Sequence, residues 1–251
     1  MDNERVDEAV RALVDARKTG RLLETLPAGS RPASIEEAHA IQDATVAFLG
    51  DAVVGWKVLP PIDGRIARGV LLRSRVFTSP ATISADQVPL LGVEAEIAFR
   101  FDRDLPPRVA DYAYEDVAQA VTAFPAIEIV DSRFSDYRGS ALLDRLADCA
   151  SNGAFVCGAL QSHWRAFDLA AAEVELSIDG ISKVRSVGGH AAVDPLLPAV
   201  ALVNALRENV GVRKGQMMTT GTYTGLNFAQ PGQTVTADFK GLGSAQVRFR
   251  P

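Results

Sequence analysis

The apolar positions change their spacing along the chain. Val6, Ala9, Val10, Leu13 and Val14 recur every three or four residues, which predicts a first amphipathic helix. Pro27 to Pro32, with Gly29 and Ser30 between them, breaks it. Ser34-Ile-Glu-Glu37 then reads as a capping box, in which Ser34 accepts from the Glu37 N–H and Glu37 reaches back. A second helix is predicted to run to about Leu49, with Ala38, Ile41, Thr45 and Phe48 turned inward.

After Asp51 the period shortens. Val53 to Val58 predicts a strand ended by Pro60-Pro61. Val93 to Phe101 alternates strongly and predicts another. Tyr112 to Phe124 reads as helical, Ala126 to Val130 as a short strand apolar on both faces, and Ala154 to Leu160 as a further strand. Glu173–Ile178 and Ile181–Val187 flank Asp179-Gly180, a hairpin signal because both turn residues need positive φ. Asp194 and Pro195 fit the N-cap and first position of a helix ending near Gly211. Short β segments separated by glycines fill Met217 to Phe249. Helices first, then strands with inserted helices, predict an α+β fold with a β-rich core and not a doubly wound parallel sheet. The expected division is a helical lobe over 1–75 and a β-rich catalytic domain over 76–251, or the two as one continuous domain.

Composition narrows the function classes. The chain has 251 residues, 47% hydrophobic and 23% charged, which is ordinary for a globular protein. A net charge of -5 and the lack of any basic run argue against nucleic acid. The longest apolar run, Leu196 to Leu206, is interrupted by Pro198 and Asn204 and is too short to span a bilayer. The opening Met-Asp-Asn-Glu-Arg does not read as a signal peptide. Cys149 and Cys157 are the only cysteines and lack metal-ligand spacing, so a reducing compartment, the cytoplasm, is expected.

Acidic residues supply the candidate chemistry. Glu94 and Glu96 lie two apart on a predicted strand and so share a face, with Val93, Ala95, Ile97 and Phe99 opposite. Alone, the pair reads as two solvated carboxylates on a half-exposed strand. Glu128 sits among apolar same-face neighbours, Ala126 and Val130, which places its carboxylate in a buried or pocket-wall position. Such a group needs a cation, a proton or several donors. Arg133 is one candidate partner. A hard divalent ion shared by all three glutamates is the other.

Several segments together resemble the 2-keto-4-pentenoate hydratase group of the fumarylacetoacetate hydrolase superfamily. They are Gly55-Trp-Lys-Val58, Gly92-Val-Glu-Ala-Glu-Ile-Ala-Phe99, Pro125 to Arg133, Asp148 to Gly158, Thr220-Gly-Thr-Tyr-Thr-Gly225 and Pro231 to Gly243. The resemblance covers most of the chain from about Ile35. It implies a mixed β-sandwich or roll with a helical N-terminal lobe, a homo-oligomer, and a role in aromatic catabolism. It implies Glu94, Glu96 and Glu128 as ligands of Mg²⁺ or Mn²⁺, Lys57 as the active-site acid/base with a lowered pKa, and Ser151 and Thr222 as substrate-binding residues. Backbone N–H groups of Gly221 to Gly225 are further candidates for holding a substrate carboxylate. The implied activity is a hydro-lyase adding water to a 2-hydroxy-2,4-dienoate. A 2-oxo-dienedioate decarboxylase, a C–C bond hydrolase, and a catalytically weakened 2-keto-acid-binding subunit complexed with a pathway enzyme are the alternatives. The pattern departs at Ala67, where the resemblance calls for an aspartate, and at Cys149, where it calls for an asparagine. Asp63 is a candidate substitute for the former. Among the histidines, His39 and His163 read as structural, while the glycine-flanked His190 is within reach of a pocket.

Overall fold

The computed structural model describes residues 1–251. Helix α1 (Asn3–Thr19) starts where the Asp2 carboxylate accepts the Arg5 N–H, and stops at a left-handed Gly20. It buries Ala9, Val10, Leu13 and Val14. Helix α2 (Ile35–Leu49) starts on the Ser34 hydroxyl, which accepts from the Glu37 N–H. Only half of the expected capping box forms, because the Glu37 carboxylate takes the Ala33 N–H and the chain's terminal ammonium instead. Ala38, Ile41 and Thr45 are buried as predicted, but Phe48 is 60% exposed. The buried stripe runs through Gln42 and Val46, so position 48 falls outside it, and Lys18 lies over the Phe48 ring.

Strands β1 (Val53–Ile62) and β2 (Arg65–Leu72) form a hairpin about Asp63-Gly64, both with positive φ. Helical structure in the stretch 1–75 therefore gives way to sheet after Leu49. Pro60 and Pro61 do not end β1 as expected. They occupy an irregular step in its register, between Leu59 and Ile62. Short strands β3 (Val76–Thr78) and β4 (Ala81–Ser84) follow, then β5 (Gly92–Phe101). The helix predicted over Tyr112–Phe124 shrinks to α3 (Tyr114–Ala118), because β6 (Val121–Val130) already begins at Val121 and pairs with β5 along its full length. Next come α4 (Leu142–Ala147), β7 (Asn152–Cys157), β8 (Glu173–Ile178), β9 (Ile181–Val187) and α5 (Leu196–Leu206). The chain closes with β10 (Met217–Thr222), β11 (Asn227–Phe228), β12 (Thr234–Phe239) and β13 (Gly243–Arg250). Asp179-Gly180 turns the β8–β9 hairpin with positive φ at both residues, and Asp194 accepts the Leu196 N–H at the start of α5.

One sheet has the order β2-β1-β10-β5-β6-β7-β3, with β11 added beside β5; the second runs β4-β13-β12-β8-β9. Strands β12 and β13 lie against β6, so the sheets stack. Ile97 and Phe99 of β5 join Phe239 and Phe249 in the core between them. Helices α1, α2 and α4 form their own apolar cluster with Leu26 and Phe134. The architecture is the expected α+β one. No helix is long and apolar enough to cross a membrane.

Candidate active site

The antiparallel register of β5 and β6 sets Glu94 directly opposite Glu128. Glu96, two residues on, shares the face of Glu94 and turns away from the core that Val93, Ala95, Ile97 and Phe99 fill. The three carboxylates converge, each offering an oxygen within 4.8 Å of the others. Glu96 and Glu128 are each only 1% exposed.

Strand β10 lies between β1 and β5, and β1, β7 and β10 each add one more group. Lys57 of β1 donates from Nζ to Glu128 Oε1 at 2.5 Å. Asn152 Nδ2 donates to the same oxygen at 3.1 Å, and the Thr219 hydroxyl donates to Glu96. Arg133 does not pair with Glu128, contrary to one expectation. Its guanidinium is held by Asp148 at 2.7 Å and Asp131 at 3.3 Å. An extra residue in β10 between Thr219 and Thr222 makes a bulge, with Gly221 at φ 123°, and sets Thr222 opposite Glu96.

The charges explain what this cluster needs. Burial, then the negative charge of Glu128, pushes the Glu94 carboxyl up to about 7. Burial and both neighbouring glutamates raise Glu96 well above the usual carboxylate range. Burial alone would depress Lys57, but Glu128, Glu94 and Glu96 together outweigh it and hold the ammonium above the ordinary lysine value. The expected lowering is therefore not a property of the chain by itself: the three uncompensated carboxylates around Lys57 favour the charged lysine. When all three carboxylates are ionised, one ammonium leaves two negative charges unmet. The all-oxygen donor set fits a hard divalent cation.

The cluster lies in a cavity of about 720 Å³ whose wall includes Lys57, Ser151, His190, Thr222 and Arg145. A family model described as "Fumarylacetoacetate (FAA) hydrolase C-terminal" matches residues 71–250. The chain belongs to the fumarylacetoacetate hydrolase family. It is 28% identical to a 2-keto-4-pentenoate hydratase of Paraburkholderia phymatum, over 99% of this chain and 98% of that one. It is 26% identical to a 2-hydroxyhexa-2,4-dienoate hydratase of Comamonas testosteroni, with the same coverages. In structure it is similar to the 4-oxalocrotonate decarboxylase of Pseudomonas putida, solved with magnesium and adipate. There the TM-score is 0.86 at 21% identity, over 99% of this chain and 98% of that one.

The positions that the resemblance to the fumarylacetoacetate hydrolase family singled out divide into two groups. Ser151 is 2% exposed, and its hydroxyl has no partner within the chain. It ends a run of three left-handed residues, Cys149, Ala150 and Ser151. Thr222 lines the cavity, with its hydroxyl accepting from the Thr224 N–H. In the Gly221–Gly225 turn, the Tyr223 N–H already goes to Ala95 O and the Thr224 N–H to Thr222, so neither is free for a ligand. His190 lines the cavity, but both ring nitrogens are engaged: Nδ1 accepts from the Ala192 N–H, which leaves Nε2 to donate to Thr220 O at 2.9 Å. Burial lowers its pKa, so it is a neutral buttress. His39 and His163 stay outside the cavity.

The two departures are also placed. Ala67 is fully buried in the apolar cluster that includes Leu146 and Ala150. Asp63 is no substitute for an aspartate there, because it sits exposed at the tip of the β1–β2 hairpin. Cys149 is buried against the Arg133–Asp148 network. Asn152, Thr219 and Arg145 are site residues that the sequence did not single out. The first two lie inside or beside the recognised segments, whereas nothing in the spacing around Arg145 marks it.

Proposed function

We propose that the protein is a divalent-metal-dependent hydro-lyase that adds water to a 2-hydroxy-2,4-dienoate of the 2-keto-4-pentenoate type. The observation that carries this reading is the convergence of Glu94, Glu96 and Glu128 beside Lys57 in one cavity. The near full-length similarity to two dienoate hydratases supports the reaction type.

Glu94, Glu96 and Glu128 would hold Mg²⁺ or Mn²⁺, which supplies a Lewis acid for the substrate's carboxylate and 2-oxo group. Ketonisation moves a proton from the 2-hydroxyl to carbon 5 of the diene. Water then adds its hydroxyl to carbon 4 and a proton to carbon 3. Lys57 is the acid/base for these transfers: its side chain is 12% exposed, lines the cavity and is oriented by Glu128. With alanine at position 67, Glu128 is the carboxylate that pairs with it. Ser151 offers a buried hydroxyl with no competing partner, and Thr222 faces Glu96 across the bulge. These two orient the substrate's acid end. A homo-oligomer in a reducing compartment completes the reading, the compartment supported by the unpaired thiols of Cys149 and Cys157.

The test is loss of dienol absorbance from 2-hydroxypenta-2,4-dienoate with Mg²⁺ or Mn²⁺, and its abolition by chelator. The expected product is 4-hydroxy-2-oxopentanoate. A second reading, decarboxylation of a 2-oxo-dienedioate, is supported by the likeness to the decarboxylase solved with magnesium and adipate. Release of CO₂ from 2-oxohex-3-enedioate, with no hydration of 2-hydroxypenta-2,4-dienoate, would replace the first reading with the second.

A further inference from the structure

One charged side chain of the cavity has no role in the chemistry above. Helix α4 lines the wall with Leu142, Arg145 and Leu146, which share one helical face at i, i+3 and i+4. Leu142 is 42% exposed and Leu146 fully buried, so this face runs from the mouth of the cavity inward, with Arg145 half-buried between them. Arg145 donates from Nη1 to Tyr137 O at 3.2 Å and lies 5.5 Å from the centroid of the Tyr137 ring. Its Nε and Nη2 make no hydrogen bond within the chain, and no carboxylate lies within ion-pair distance. The adjacent Asp144 is held instead by Arg31 at 3.1 Å. The cavity's other cation, Lys57, is committed to Glu128. Arg145 makes no hydrogen bond or ion pair with Glu94, Glu96 or Glu128.

The wall also carries apolar side chains: Leu59, Pro60 and Ile66 from the β1–β2 hairpin and Leu197 from α5. The volume of about 720 Å³ falls in the range of pockets for ligands much larger than a five-carbon acid. A guanidinium with free donors, in the same cavity as the three carboxylates but paired with none of them, suits a second carboxylate on a substrate whose first is held at the metal-binding end. We infer that Arg145 is a specificity-determining residue that binds a second carboxylate, so that the preferred substrate is a 2-keto acid carrying a terminal acid group. This rests on the reading that the cavity takes a 2-keto acid. It adds a second anchor point to that reading.

The test uses two stable 2-keto acids of equal length, 2-oxoadipate and 2-oxohexanoate, titrated into the Mn²⁺-loaded protein by calorimetry. Wild type is expected to bind 2-oxoadipate roughly 10- to 100-fold more tightly, the range for a hydrogen-bonded charge pair. Arg145→Met is expected to remove that preference by weakening 2-oxoadipate alone, and Arg145→Lys to keep part of it. Unchanged 2-oxohexanoate binding in either variant shows that the wall is intact. Equal affinities in wild type, a preference that survives Arg145→Met, parallel weakening of both ligands, or binding of neither would overturn the inference. Turnover of the five-carbon dienoate is measured separately. The second anchor can therefore fail while the hydro-lyase assignment stands, or hold while that assignment fails.

Discussion

Glu128 is buried beside two other carboxylates and is held by one ammonium and one amide. Lys57→Met removes that ammonium. If Lys57 moves protons, kcat should fall by about 10²- to 10⁴-fold. Affinity for Mn²⁺ should hold or rise, because a positive charge leaves the neighbourhood of the ligands. Electron paramagnetic resonance titration of Mn²⁺ beside the turnover assay separates the cases. A variant that loses the ion together with turnover would make Lys57 only a support for the ligands. The shared face of Glu94 and Glu96 was legible in the alternation of their strand, and the burial of Glu128 in its apolar neighbours. The partner of Glu128 was not. Arg133 is near in sequence, but the pleat and the turn after β6 direct it to Asp148, while the true partner lies 71 residues away on β1.

The turn Cys149–Ser151 presents Ser151 to the cavity, and two contacts hold it in its left-handed conformation. From one side β2 packs on it so closely that a Cβ on Gly69 would sit 2.4 Å from Cys149 O and 2.8 Å from Lys57 Cγ. Gly69→Ala must therefore push the turn and the lysine apart. It is expected to cost activity on the 2-keto substrate well beyond any drop in melting temperature, as seen by assaying the folded variant at saturating Mn²⁺. On the other side Asp148 accepts from Arg133 and from Arg17 of α1, each at 2.7 Å and all three largely buried. Asp148→Ala would leave two buried guanidinium groups without their shared carboxylate. A loss of about 3–5 kcal/mol in urea unfolding is expected; a loss under about 1 kcal/mol would show that the network is not what ties α1 to the turn. Helix α1 and the β8–β9 hairpin were readable because their signals are local: a 3.6-residue stripe and an Asp-Gly turn. Tyr112–Phe124 was misread because Val117, Ala120, Val121 and Phe124 fit a helical stripe, whereas pairing with β5 claims the residues from Val121 onward.

Lys57, Glu94, Glu128, Ser151 and Thr222 come from five separate stretches of chain, joined because β10 inserts between β1 and β5. No spacing rule predicts that strand order, so the residues were recognisable as types long before their convergence was. The convergence has a consequence for the stability of the folded protein. In the unfolded chain these glutamates ionise near 4.5, whereas in the fold burial and Glu128 hold Glu94 at about 7, and burial with both neighbouring glutamates raises Glu96 well above its unfolded value. Between those values the folded state binds more protons than the unfolded state, so the contribution of this cluster to stability falls as pH rises. A divalent ion replaces the protons. At a hundredfold excess over Kd it adds about 2.7 kcal/mol, roughly 5–10 °C in Tm for a chain of this size. Because the ion binds the ionised carboxylates, its effect should be greater at pH 8 than at pH 5.5. Thermal melts with Mn²⁺ and with chelator at both values measure this, and Glu94→Gln isolates the cluster from every other titrating group. The variant should flatten the decline of the metal-free protein and shrink the Mn²⁺ shift at pH 8. A shift of the same size at both pH values, or one indifferent to Glu94→Gln, would place the ion elsewhere than on these three carboxylates.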